Sequence, residues 1–285
     1  MTGLIGTPQH DQKNDPSRTL WPLRPPRSVV AMLAGSLVAL LATDAAPAIE
    51  LDSWLALAAW AVSGSSGFAG IPVVLGLGVA WLASCESFLG KRLVISTMVL
   101  TALLVVLGTA SFANLGLLKP AVAATRPHIR ELARLEIIPP ANDFYAIGDR
   151  EHRTKHLRHL FQTQTATALL PKLHPLVREH WVTTTNHSFP SGHTLAAFLL
   201  ATTFTLLGSH LEPRLQQLTR TFLPWAVLVG WSRTLLRVHS TADVVVGALL
   251  GIALGCLAAC IIAKTIARHT TKNQTLNQQQ HQTTI

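Results

Sequence analysis

Apolar stretches near a bilayer's thickness alternate with short polar breaks along most of this chain. A helix needs about 20 apolar residues to cross the hydrocarbon core. Val29 to about Thr43 is the first run, extended beyond Thr43 by small residues. Ser53 to Val62 reads as a short helix in the membrane interface, anchored by Trp54 and Trp60. Phe68 to Ala83 predicts a second span, loosened by glycines and Pro72, and Lys91–Arg92 mark a turn. Leu93 to Leu118 predicts the third span and the clearest. Ser191 to Leu207 is the fourth, followed by a polar loop, Ser209 to Arg220. Thr221 to about Trp231 begins the fifth, which the stretch Ser232–Asp243 closes, and Val244 to Ala263 is the sixth. The pattern predicts an all-α fold: an integral membrane bundle of six transmembrane helices over residues 29–265.

Polar sequence surrounds that bundle. Lys119 to Pro190 is a long insert between spans three and four, with helix-like spacing over Ile129–Ile138 and Glu151–Leu170 and a break at Pro139-Pro140. Residues 1–28 are polar and proline-rich and read as a flexible tail. Residues 266–285, rich in Gln and Thr, are expected to be disordered. Ala46-Pro47-Ala48 resembles a signal-peptidase site, but the tail before it is long for a signal peptide, so the first segment is read as a retained span. No internal repeat is visible.

Composition narrows the class. The chain has 285 residues, of which 13% are charged and 49% hydrophobic, where soluble domains carry about 25% charged residues. The formal net charge of +9 could suit nucleic acid. No nucleic-acid motif accompanies it, and membrane proteins are commonly basic, so an anionic lipid surface is the expected partner. Cys85, Cys256 and Cys260 all lie in or beside apolar segments. An odd number in such places gives no disulfide framework, and no zinc-ligand spacing is present.

Basic residues also orient the spans. The loop from Asp44 to Asp52 has no Lys or Arg, whereas the short loops on the opposite face carry Lys91, Arg92, Arg214 and Arg220. The positive-inside rule then puts both termini in the cytoplasm. The end of span three, the insert, the start of span four and the turn between spans five and six share the outer face.

Three clusters with chemical character gather there. Lys119 and Arg126, before Pro127, are seven residues apart, close to two helical turns, so they can point the same way and grip one anion. Phe189-Pro190-Ser191-Gly192-His193 opens span four. Ser191 is a plausible N-cap, and free N–H groups at a helix start bind anions. Gly192 lets a phosphate approach closely, and His193 could donate a proton to a leaving group. In Ser232-Arg-Thr-Leu-Leu-Arg-Val-His-Ser-Thr-Ala-Asp243, His239 and Asp243 share a helix face if Ser240 onward is helical. The carboxylate can then orient an imidazole nucleophile, beside fixed charge from Arg233 and Arg237. Taken singly, each cluster also fits a plainer role: a basic membrane-edge anchor, an ordinary helix start with an interfacial histidine, a juxtamembrane basic patch.

Together the clusters follow the order Lys-x6-Arg-Pro, Pro-Ser-Gly-His, Ser-Arg-x5-His-x3-Asp. On these motifs the chain resembles the type 2 phosphatidic acid phosphatase superfamily, and within it the phosphatidylglycerophosphatase B family of bacterial inner membranes, which includes undecaprenyl-diphosphate phosphatases. Asp143-Phe144-Tyr145 and His180-Trp181 in the insert are similar to that family too. The resemblance covers residues 29 to 265 and implies the following. His239 attacks phosphorus and becomes a phosphohistidine. Asp243 holds its tautomer. His193 protonates the leaving oxygen and then activates water. Lys119, Arg126, Ser191, Gly192 and Arg233 bind phosphate oxygens. No cofactor or metal is implied, and the motifs hold no carboxylate cluster suited to magnesium. The implied partners are membrane lipid phosphates or diphosphates within the bilayer, not nucleic acid; the oligomeric state stays open.

The implied substrates are phosphatidylglycerophosphate and undecaprenyl diphosphate. Rivals are a lipid A phosphatase or lipid phosphotransferase of the same superfamily, and, from another class, a non-catalytic lipid-binding or transport protein. A soluble haloperoxidase sharing the pocket motif is disfavoured by the spans. His152, His156 and His159 have metal-ligand spacing on a helix, but among Arg153, Lys155 and Arg158 they read as a solvated basic face. Trp225 and Trp231 are expected at lipid or at the interface, Arg237 could touch substrate, and His187 is near the site by sequence alone.

Overall fold

In a computed structural model of the chain, the described residues are 25–45, 49–84, 89–163, 172–209 and 220–283; they contain helices and no strand. The Ala46-Pro47-Ala48 site, most of the 209–220 loop, Cys85 and residues 1–24 lie outside them.

Helix α1 (Arg27–Leu41) runs into a short 3-10 turn, Ala42–Ala45. Helix α2 (Trp54–Ser65) starts at Ser53, whose Oγ accepts the N–H of Ala56 at 3.3 Å. It ends where serine hydroxyls turn back onto the backbone: Ser65 Oγ donates to Val62 O at 2.6 Å, and Ser66 Oγ to Ser63 O at 3.0 Å. The chain bends there by 62° into α3 (Gly70–Ser84). The short helix expected over Ser53–Val62 and the helix expected over Phe68–Ala83 are both present, and as a bent pair they are together long and apolar enough to cross a membrane.

Helix α4 (Leu89–Ala113) continues through a π-helical turn, Asn114–Leu118, and a last turn, Lys119–Val122, before Ala123 ends it at φ 49°. Lys91 and Arg92 therefore lie in the first turn of α4, not between helices. The insert follows as α5 (Pro127–Arg134), α6 (Ala141–Ala146), α7 (Arg150–Thr163) and α8 (Pro175–Thr183). Proline at the first helical position, where its missing N–H costs nothing, starts α5 two residues before the expected Ile129. Glu136 at φ 56° follows its end. Helix α7 is described as far as Thr163, and the rest of the helix expected to Leu170 lies outside the described residues.

The insert has its own core. Ile129, Leu132, Phe144, Leu157, Val177 and Trp181 are buried together with Leu51 of the first loop and Leu236 and Val238 of the last turn. Trp181 is fully buried, and its indole N–H donates to Leu236 O at 2.9 Å. Trp181→Phe keeps most of the volume but strands that buried carbonyl. It is expected to cost about 1–3 kcal/mol, measurable as a lower melting temperature in detergent.

Helix α9 (Gly192–Gly208) is the centre of the bundle. It is apolar all round and buried along nearly its whole length, as a helix enclosed by others must be. Helix α10 (Phe222–Leu235) and α11 (Thr241–Thr283) pack against it, with α1, α3 and α4 outside. Contact between α9 and α11 is backbone to backbone. A Cβ added at Gly247, Gly251 or Gly255 would lie 2.6 Å from Ser191 O, 2.5 Å from Leu195 O or 2.8 Å from Leu199 O. Small residues at every fourth position allow that approach.

Helix α10 runs to Leu235, into the stretch expected to close the fifth span. Two further expectations change. Helix α11 continues to Thr283, although the Gln- and Thr-rich tail was expected to be disordered; residues 256–283 contain no Gly or Pro, and extending an existing helix is far easier than nucleating one. Trp225 and Trp231 turn their indole N–H groups inward, to Ser65 Oγ at 2.9 Å and Ala39 O at 3.0 Å. Leu93–Val122 and Thr241–His269 are long and apolar enough to cross a membrane; the α2–α3 pair makes a third, and α1 and α9 are apolar but shorter.

Candidate active site

Local helix-end rules build the centre of the site. Helix α10 ends with Arg237 in the left-handed region, φ 58°, while the N–H groups of Val238 and His239 both donate to Arg233 O at 3.1 and 3.2 Å. Helix α11 begins with a capping box: Asp243 N–H donates to Ser240 Oγ at 3.3 Å, and Ser240 N–H donates to Asp243 Oδ2 at 2.8 Å. His239 is pinned between a helix stop and a helix start only a few residues apart. The α9–α11 contact adds the next piece, since Ser191 N–H donates to Asp243 O at 2.9 Å. The beginnings of two helices, one with Ser191 and His193 and one with Asp243, are thereby fixed side by side.

His239 is 3% exposed. Its Nδ1 lies 3.4 Å from Asp243 Oδ2, an electrostatic contact outside hydrogen-bond geometry. Its Nε2 lies 3.2 Å from Arg126 Nη1. A guanidinium can only donate, so Nε2 is the acceptor and the ring proton sits on Nδ1, facing the carboxylate. Burial, then Arg126, Arg233 and Lys119, hold the imidazole well below its ordinary pKa. It is neutral with its Nε2 lone pair available.

Three cations surround it. Arg126 is 3% exposed, and burial pulls its pKa down to about 10. Besides His239 it donates to Val238 O at 2.7 Å, Asn186 O and Asn186 Oδ1 at 2.5 Å each, and His187 O at 3.3 Å. Lys119 Nζ donates to His187 O, Ser188 O and Pro190 O at 2.8, 2.9 and 3.0 Å. Arg233 is 1% exposed and donates through Nη1 to Ser63 Oγ and, at 3.1 Å, to His180 Nε2. Among the described residues Asp243 is the one buried carboxylate. The balance is strongly positive, and an entering dianion would be drawn into it.

The structure brings all eight expected residues together. Ser191 caps α9: its Oγ accepts Thr194 N–H at 3.5 Å and lies 3.0 Å from Thr194 Oγ1. Gly192 is the first residue of α9, close against Asn114: a Cβ there would come within 2.9 Å of Asn114 Nδ2. His193 is half-buried and faces the α2–α3 bend, where a Cβ on Gly67 would lie 3.5 Å from its Nε2. Arg237 lies elsewhere, paired with Glu131 at 2.7 Å. Among the insert histidines, exposed His152 pairs with Asp149, His159 is exposed, and His156 turns towards Phe144. No group of three His, Cys, Asp or Glu able to hold a metal occurs among the described residues.

Several contributors were not legible beforehand. The carbonyls of Asn186, His187 and Ser188 hold two of the cations, and a backbone acceptor leaves no mark in the sequence. Tyr145 accepts the Arg126 N–H at 3.3 Å and stacks on His187, ring centroids 4.5 Å apart. Burial raises its phenol pKa and, with Arg153 as the next cause, lowers that of His187. The buried Arg153 donates to Thr185 O at 3.1 Å and Tyr145 O at 3.3 Å, fastening α7 to the loop that carries those carbonyls.

The sequence model of the PAP2 superfamily matches residues 98–267, a stretch that contains all of these site residues except Ser63. Phosphatidylglycerophosphatase B of Escherichia coli (strain K12) is 31% identical over 172 residues, 60% of this chain and 61% of that protein. The proteins of the same name from Escherichia coli O157:H7 and Shigella flexneri match at the same identity and coverage. The chain thus aligns over less than two thirds of the length of these relatives.

Proposed function

Because the chain belongs to the PAP2 superfamily, we propose that it is a membrane lipid-phosphate phosphatase working through a phosphohistidine. The observation that carries this reading is a neutral, buried imidazole whose unprotonated Nε2 faces a cluster of three fixed cations. A phosphate monoester or diphosphate entering the cluster takes over the Arg126 donors and meets Nε2. The new N–P bond forms as the bond from that phosphorus to the leaving oxygen breaks, the leaving group being the lipid alcohol of a monoester or the lipid monophosphate of a diphosphate. His193 gives its proton to the leaving oxygen, then takes one from the water that splits the phosphohistidine and frees inorganic phosphate. Asp243 stabilises the positive charge that develops on His239. Arg126, Arg233, Lys119, Ser191 and the Gly192 N–H stabilise charge on the transferring phosphoryl group without a metal.

The proposed substrates are phosphatidylglycerophosphate and undecaprenyl diphosphate. The first agrees with the name of the bacterial relatives, and both suit a site at the end of an apolar bundle, where a head group meets cations while its tails stay among helices. The proposed topology has six crossings: α1, the bent α2–α3 pair, α4, α9, α10 and α11. Shortness need not exclude α9, since its neighbours rather than lipid surround it. The insert and active site then face the periplasm of a bacterial inner membrane, with both termini in the cytoplasm.

Phosphate release from purified protein in detergent with EDTA tests the reading, with phosphatidylglycerophosphate, undecaprenyl diphosphate and lipid A compared side by side. Release that persists in EDTA is expected, faster with either of the first two. Release abolished by EDTA would overturn the metal-free mechanism, and a preference for lipid A would overturn the substrate assignment.

A further inference from the structure

We propose that His180, in the insert helix α8, is a positioning residue that aims Arg233 at the substrate phosphate, with Ser63 of α2 as its counterpart. The idea rests on the anion pocket described above and adds the parts that orient it.

Arg233 enters the site from α10 almost completely buried. Its Nη1 is committed, donating to Ser63 Oγ on one side and to His180 Nε2 on the other. Its Nε is buried with no protein acceptor. A buried guanidinium N–H without a partner is costly, and a phosphate oxygen is the acceptor it suits best. One edge of the planar fork is therefore anchored by protein and another left for ligand. Turning the fork would exchange those roles, so the anchors decide which edge faces the phosphate.

His180 suits this task. Burial and the neighbouring Arg233 and Arg126 pull its pKa down to about 3, so it stays neutral and keeps an acceptor lone pair at any working pH. Its position is set by the next residue: Trp181 is fully buried and tied to Leu236 O, directly beyond α10. His128 lies behind, its ring centroid 5.2 Å from that of Trp181. The insert thus reaches into the anion site through one side chain, while the broken helix α2 meets the same guanidinium from the other side.

A double-mutant cycle on the full-length protein in detergent decides the matter, reading orthovanadate affinity by calorimetry and phosphate release in parallel. His180→Phe keeps bulk but removes the acceptor, and is expected to weaken vanadate about tenfold, the loss typical of one charge-assisted hydrogen bond. His180→Gln restores an acceptor and is expected to recover most of the affinity. In an Arg233→Met background, His180→Phe is expected to change nothing further, because it acts only through Arg233. Ser63→Ala, a small change that spares packing, repeats the cycle from the other anchor should His180→Phe fold poorly. Unchanged affinity in His180→Phe, or an equal loss with and without Arg233, would overturn the proposal. Vanadate binding without lipid phosphate hydrolysis in the unmodified protein would overturn the phosphatase reading and leave this one standing. No vanadate binding at all would overturn both.

Discussion

Replacing His239 with alanine is expected to lower kcat by about four orders of magnitude or more, the scale seen when a covalent nucleophile is removed. The imidazole is the one group at the centre of the pocket that combines a free lone pair with orientation from behind: Arg126 fixes which nitrogen is unprotonated, and Asp243 faces the other. The three cations would remain, held by carbonyls, Ser63 and His180 rather than by His239. The variant is therefore expected to bind orthovanadate nearly as well as the parent while forming no acid-labile phosphoenzyme when quenched during turnover. Loss of chemistry with retention of anion binding is the signature of a nucleophile. If release stays within tenfold of the parent, some other group attacks phosphorus; if binding and release fall together, His239 holds the pocket open instead.

Much of this site was legible before any coordinates because its residues stand at helix ends. Ser191 before an apolar run, Pro127 after Arg126, and Ser240 three residues before Asp243 are local signals, each satisfying backbone groups that a helix end leaves open. Where local rules fix the backbone, spacing alone tells which side chains converge. The parts that escaped depend on tertiary structure. Carbonyl acceptors for Lys119 and Arg126 come from a loop 68 and 60 residues away in sequence. By sequence Arg237 could touch substrate, but it is paired with Glu131, on a left-handed backbone. The bend between α2 and α3 lies in a run of Ser and Gly, and apolar content alone does not tell a broken span from a short helix leading into one. In segments apolar on every face there is no periodicity to show which side meets protein and which meets lipid.

That same uniformity hid the α9–α11 seam, and Gly251→Leu is expected to undo both fold and site. A Cβ at position 251 would meet Leu195 O at 2.5 Å, Phe198 Cβ at 2.8 Å and Leu199 N at 3.0 Å. Two of these are backbone atoms, which cannot rotate away as a side-chain tip can, so the helices must separate. Overpacking of this kind costs about 3 kcal/mol or more, equivalent to a melting temperature lower by about 6–12 °C for a chain of this size. One turn nearer the site, Gly247 approaches Ser191 O in the same way. Spreading the seam pulls Ser191 N–H from Asp243 O, and with it the start of α9 from the start of α11. Phosphate release is accordingly expected to fall by more than the loss of folded protein explains. Gly108→Leu on α4, where an added Cβ would meet nothing within 4 Å, is the control and is expected to leave both readouts near the parent. Equal effects at the two positions would mean that helix propensity, not the close approach of α9 and α11, sets the requirement for glycine. A loss confined to Gly251 would show that the catalytic pair is held in register by the contact of two backbones, well inside the bundle and away from any motif.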